Sequence, residues 1–172
     1  MEERKEVTMW FNATRLSGHI FLTLLLALTI VLTGCEGMYS ERASKEQDEL
    51  AKRFKPQSTS AVIYIYRPKS LEIPRAIFVY NDGGFVASLK GGAFVRLVLT
   101  PGRHVIGTKS PSARFLQDTL AIVADAGKLY YIMVRYQLGG VTGDSPKLRQ
   151  VDERTAQRKI RGYELLQVGP LR

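Results

Sequence analysis

Cysteine and histidine are scarce in this chain, which has one cysteine and two histidines in 172 residues. Cys35 closes the run Leu32-Thr33-Gly34-Cys35. The small residues Thr33 and Gly34 give a peptidase access to the backbone, and the thiol behind them can take a thioether-linked diacylglycerol. Thirteen mostly apolar residues, 20–32, precede this box, and Arg15 stands in front of them. A membrane-spanning helix needs about 20 apolar residues, so a run of this length fits the short apolar region of a signal peptide. Lipidation is therefore expected at Cys35, with residues 1–34 removed. Palmitate or similar acyl chains contribute about 0.8 kcal/mol per buried methylene, enough in twos or threes to hold a protein on a membrane. The plainer alternative is an uncleaved anchor helix in which Cys35 has no role. Glu2, Glu3 and Glu6 offset the charge of Arg4 and Lys5, and Met9 is an alternative start that leaves Arg15 as the leading charge. Glu36 stands where Asp tends to retain a lipoprotein in the inner membrane, so export to the outer membrane, facing the periplasm, is expected.

Beyond the leader, the residues available for catalysis are few. His19 precedes Cys35, which leaves His104 as the one histidine of the mature chain. A Ser-His-Asp arrangement would have to use it. A histidine beside Pro101-Gly102-Arg103, at the start of a strand, more often bonds to its own turn. Zinc takes three or four nitrogen or sulfur ligands, which this composition does not offer, so no metal and no cofactor are expected. Asp82, Asp118, Asp125, Asp144 and Asp152 are scattered, and turn aspartates such as Asp82 and Asp125 commonly bond their own backbone. Gly83-Gly84 and Gly91-Gly92 read as hairpin turns, because neither precedes Lys-Ser/Thr or opens a helix as a phosphate loop does. Gly139-Gly140 reads as a flexible loop and a contact candidate. No enzyme is expected, although a hydrolase built on paired carboxylates remains an alternative.

The elements that must position these groups follow from periodicity. Residues 35–60 are polar with sparse apolar positions and read as a lipidated tether. Within it residues 40–54 favour a solvated helix, with Leu50 and Phe54 at i, i+4 spacing to dock and Pro56 as a stop. From Ala61 short apolar runs alternate with turn residues, the mark of an all-β domain over residues 61–168. Strands are expected at 61–66, 76–80, 85–89, 93–99, 103–108, 119–123 and 129–136, with a short one at 148–151. Asn81-Asp82-Gly83-Gly84 reads as a tight hairpin turn. Ala93, Val95, Leu97 and Leu99 share one face of their strand, and Leu120 and Ile122 point inward. Asp152 can cap a helix over 153–166 that buries Ala156, Ile160 and Tyr163. The architecture expected is an antiparallel β-sandwich with a C-terminal helix, a closed barrel being its rival. Tyr64 with Tyr66, and Tyr130 with Tyr136, alternate onto single faces. If both pairs faced outward they would form an aromatic platform, but core packing is the commoner use of such residues.

Several runs together resemble a known family: Ile63-Tyr64-Ile65-Tyr66-Arg67-Pro68, then residues 79–84, Val86-Ala87-Ser88-Leu89, Leu99-Thr100-Pro101-Gly102-Arg103-His104 and Ala126-Gly127-Lys128-Leu129-Tyr130-Tyr131. Behind a lipidation box they resemble the bacterial lipoproteins known as domain of unknown function 2846, over about residues 59–137. The resemblance implies a prealbumin-like or immunoglobulin-like sandwich and carries no catalytic residues.

The net charge of +9 survives removal of the leader, whose three basic and three acidic residues cancel. A basic chain invites nucleic acid. An exported, membrane-bound one meets anionic lipid and glycan instead, and no nucleic-acid partner is expected. The cluster Arg149, Arg154, Arg158, Lys159 and Arg161 either touches such anions or forms the wet face of a helix. The function expected is that of a lipid-anchored cell-envelope lipoprotein with a non-enzymatic binding or interaction module, taking an envelope protein or glycan. The alternative is a structural or envelope-stress lipoprotein without a discrete ligand.

Overall fold

A computed structural model describes residues 40–69, 75–137 and 144–169. The leader, Leu32, Thr33, Gly34, Cys35, Glu36 and the Gly139-Gly140 loop lie outside the described residues. Met38–Arg172 forms one compact unit.

Among the described residues, nine strands build two stacked sheets. They are β1 (Ala61–Arg67), β2 (Ile77–Asn81), β3 (Gly84–Leu89), β4 (Ala93–Leu99), β5 (Gly102–Lys109), β6 (Asp118–Ala124), β7 (Leu129–Gln137), β8 (Ser145–Gln150) and β9 (Glu164–Leu165). One sheet runs β8-β7-β1-β4-β9 and the other β3-β2-β5-β6. The protein is therefore an all-β sandwich with a C-terminal helix. The expectation of purely antiparallel pairing fails at two places, where β1 pairs with β7 and β4 with β9 in parallel. Both partners return to the first sheet from elsewhere in the fold, so no two-residue hairpin dictates their direction.

The turn before β3 is the hairpin that its residues demand. Asp82 and Gly83 both hold positive φ, 49° and 83°, as a two-residue turn between right-twisted strands requires. Gly91-Gly92 is not a hairpin. It carries the chain from β3 in one sheet to β4 in the other, with Gly92 at φ 75°.

The inner faces meet in an aliphatic core. Ile63 and Ile65 of β1, the row Ala93, Val95, Leu97 and Leu99 of β4, Ile122 of β6 and Ile132 of β7 are all buried there, with Leu120 packed against it. Tyr130 and Tyr136 point into this core rather than outward. A second layer covers the other face of the five-stranded sheet. Tyr64, Tyr66, Phe94 and Tyr131 point outward but are buried beneath α1 (Lys45–Ala51), Phe54 and α2 (Glu153–Ile160). Every residue of β1 is buried, which is why its sequence is apolar and aromatic on both faces. The outward aromatic platform considered from the sequence is thus a covered core.

This layer also shortens the expected tether. Residues from Ser40 onward belong to the folded unit. Ser40 donates its backbone N–H to the Ser88 carbonyl (3.2 Å) and accepts the Ser88 N–H on its hydroxyl (2.9 Å). Ala43 N–H bonds the Leu165 carbonyl at 2.9 Å. Ser44 caps α1 through a reciprocal bond pair with Gln47, at 3.2 and 3.1 Å. The helix ends at Ala51, earlier than Pro56 alone would have stopped it, and Phe54 then takes φ 49° to turn its ring under the sheet. Ala51 and Phe54 dock, whereas Leu50 is 51% exposed.

The second helix is also shorter than expected. Asp152 accepts the Thr155 N–H at 2.9 Å and caps it as predicted. The helix stops at Ile160, Tyr163 packs from a turn, and Glu164–Leu165 joins the sheet edge as β9. The backbone bonds to β4 outcompete a further helical turn, because they extend an existing ladder.

Candidate functional site

His104, the one histidine among the described residues, stands at the junction of two turns. Its Nδ1 lies 2.7 Å from Asp82 Oδ2 and its Nε2 lies 2.9 Å from the Thr100 carbonyl. Both partners only accept, so both ring nitrogens donate and the geometry suits the imidazolium. The hydrogen bond to the Asp82 carboxylate raises the His104 pKa above its ordinary value, against a smaller opposing effect of burial. Partial burial pushes Asp82 the other way, but the His104 bond and the Val105 N–H at 2.7 Å hold it below the usual carboxylate range. The pair ties the β2–β3 hairpin to the β4–β5 turn. A nucleophile's base must keep a free acceptor nitrogen, and here neither nitrogen is free.

The carboxylates do not converge. Asp118 accepts the Leu148 N–H at 2.8 Å, Asp125 contacts the Tyr130 hydroxyl at 3.3 Å, and Asp152 is spent on its cap. Among the described residues no three His, Cys, Asp or Glu side chains gather as metal ligands, and no helix is long and apolar enough to cross a membrane.

A groove of about 600 Å³ opens instead between α1, β4 and the segment after β9. Leu50 and Ala51 form one wall, Leu165, Leu166 and Val168 the other, and Arg96 lies between them. Arg96 occupies an outward position of β4, opposite Tyr64. Its guanidinium lies near the Tyr64 hydroxyl, which donates to the Ala51 carbonyl at 2.7 Å. Asp48 of α1 accepts the Leu165 N–H at 2.8 Å and fixes the helix over the groove. Gln47 and Gln167 also line it and no carboxylate does, so Arg96 gives the groove a positive charge among amide and apolar side chains.

No family model and no curated protein matches this chain.

The groove has no continuous signature in the sequence. The signal was there in two parts: a lone arginine inside the apolar run Ala93–Leu99, and the S-x-x-Q capping box at Ser44 that starts α1. Neither says that the two elements meet. The cluster Arg149, Arg154, Arg158, Lys159 and Arg161 is exposed, with three of its members on α2, and Arg161 stacks over Phe54 at 5.3 Å.

Proposed function

We propose that this chain is a lipid-anchored cell-envelope lipoprotein, held by Cys35 and carried to the outer membrane facing the periplasm, whose sandwich is a non-enzymatic binding module. The signal-like run before Cys35 supports the address, and Glu36 supports the destination. Kinship with the domain of unknown function 2846 lipoproteins belongs to the same proposal.

The observation that carries the binding reading is the groove beside α1, with Arg96 between Leu50 and Val168 and no carboxylate in its lining. A guanidinium favours a planar anion, and the apolar side chains beside it favour a carbon-rich arm. The occupant is an acidic group on an envelope protein or glycan. A hydrolase would need two carboxylates at one pocket, and the commitments of Asp118, Asp125 and Asp152 to local partners argue against that alternative.

Two measurements test the proposal. Acyl labelling is expected in the wild type and absent in Cys35→Ala, and label that persists in the variant overturns the anchor. Crosslinked envelopes are expected to yield a partner or glycan with the wild type and much less with Arg96→Glu. Equal recovery from both, or none from either, favours a structural lipoprotein without a discrete ligand.

A further inference from the structure

Among the described residues, no helix covers the outward face of the four-stranded sheet. Strand alternation places Phe78 and Tyr80 of β2, Phe85 of β3, Val105 of β5 and Ala121 and Val123 of β6 on this face. Phe85 meets the rings of Phe78 and Tyr80 edge-on, at 5.9 and 5.7 Å. Gly107 lies outward between Tyr80 and Thr119, and Leu116 folds down onto it so closely that a Cβ there would stand 2.7 Å from the leucine. The loop that brings Leu116 leaves Phe115 74% exposed, and Val123 is 69% exposed. The charges on this face are all of one sign. Arg103 and Lys109 occupy outward strand positions, Lys109 lies over the Tyr80 ring at 5.7 Å, and Arg114 lies over Phe115 at 5.5 Å. The outward positions of these strands carry no carboxylate.

We infer that this bare aromatic and cationic face rests on the anionic lipid surface that holds the chain's own anchor. The inference depends on the reading of Cys35 as lipidated. Two observations choose the membrane as occupant. The first is chain length. Ser40 is fastened to β3, the edge strand of this same sheet. Five residues from Cys35 to Ser40 span at most about 18 Å when fully extended. The domain has no long tether on which to stand away from the lipid, and the edge nearest the anchor borders the bare face. The second is composition. Aromatic rings with lysine and arginine beside them are the side chains that settle at a membrane–water interface, where the ring meets the acyl boundary and the cation meets phosphate. The rival is α2, whose Arg154, Arg158 and Lys159 are exposed. Its buried positions, Ala156 and Ile160, face the sheet, so it has cations to offer a membrane but no apolar face.

The test uses the full-length lipidated protein in vesicles of phosphatidylglycerol and phosphatidylethanolamine. A benzoylphenylalanine photo-crosslinker replaces Phe115, Val123 or Arg154 in separate samples, and acyl label on Cys35 is read in each. Lipid crosslinking at positions 115 and 123 is expected to exceed that at position 154 by at least fivefold. The combined substitution Arg103→Glu, Lys109→Glu and Arg114→Glu is expected to lower the signal at 123 severalfold without changing the acyl label. Labelled protein that crosslinks equally at all three positions, or chiefly at 154, overturns the inference and leaves the anchor standing. Absence of acyl label in the wild type overturns the inference together with the reading beneath it.

Discussion

The two sheets of this sandwich present opposite outer faces. Outside the five-stranded sheet, Tyr64 sits at the centre of an aromatic cluster, 5.3 Å from Phe54, 5.4 Å from Tyr131 and 6.3 Å from Phe94. Two helices and the segment from Ser40 seal it. Outside the four-stranded sheet a similar set of aromatics is only half covered, and cations replace the helices. The same kind of residue therefore serves stability on one face and is left for contact on the other. Strand composition alone does not separate the two cases. The presence of a helix to cover the rings does.

Breaking the covered face should cost most. Phe54→Ala is expected to lower stability by about 3–5 kcal/mol, the range for deleting a buried aromatic. Urea denaturation checks this, and a loss below about 1 kcal/mol would mean that residues 40–54 do not belong to the folded unit. Tyr64→Phe keeps the ring but removes the hydroxyl that bonds the Ala51 carbonyl. A loss of about 0.5–1.5 kcal/mol is expected from the missing hydrogen bond, because the Ala51 carbonyl still accepts the Phe54 N–H at 3.2 Å. In Arg96→Ala the same hydroxyl keeps its acceptor, so a smaller loss should separate stability from binding at the groove.

The His104–Asp82 pair makes the next contrast. Its folded pKa is raised, so the His104 contribution is complete below the unfolded value near 6.5 and fades as pH rises through the folded value. Asp82 is lowered, so its share is present above about 3.8 and fades as pH falls through its folded value. Thermal unfolding of the wild type should thus show a melting temperature that drops as pH rises above about 6.5. His104→Gln should flatten that drop, and an unchanged slope would remove the pair as its cause. The smallest effect belongs to the bare face. Val123→Ser is expected to change stability by no more than about 0.5 kcal/mol, as for an exposed position. A much larger loss in calorimetry would show that this face is packed rather than open.

The strands were largely legible because period-2 alternation and glycine turns are local signals. Ala93–Leu99 carries its inward row in plain sight, and Asp82-Gly83 announces its hairpin. What escaped the sequence was which strands share a sheet. The turn at Gly91-Gly92 looks like a hairpin, yet it crosses between sheets, and no local rule distinguishes the two. The folded part of the expected tether is hidden for a related reason. Residues 40–60 are polar because most of their surface is wet, while Ala51 and Phe54 alone supply the burial. The helix expected over 153–166 ends at Ile160, and its apolar positions remain in register after the backbone has turned to pair with β4.

The sequence by itself determined most of the strands, the cap at Asp152, the scarcity of histidine and cysteine, and the run that ends in Cys35. These are matters of residue type and short spacing. Only the tertiary structure decided that Arg96 lies in a groove, that His104 spans two turns, and that one aromatic face is roofed while the other is bare. Each depends on contacts between residues far apart in the chain, which alternation within a strand does not encode.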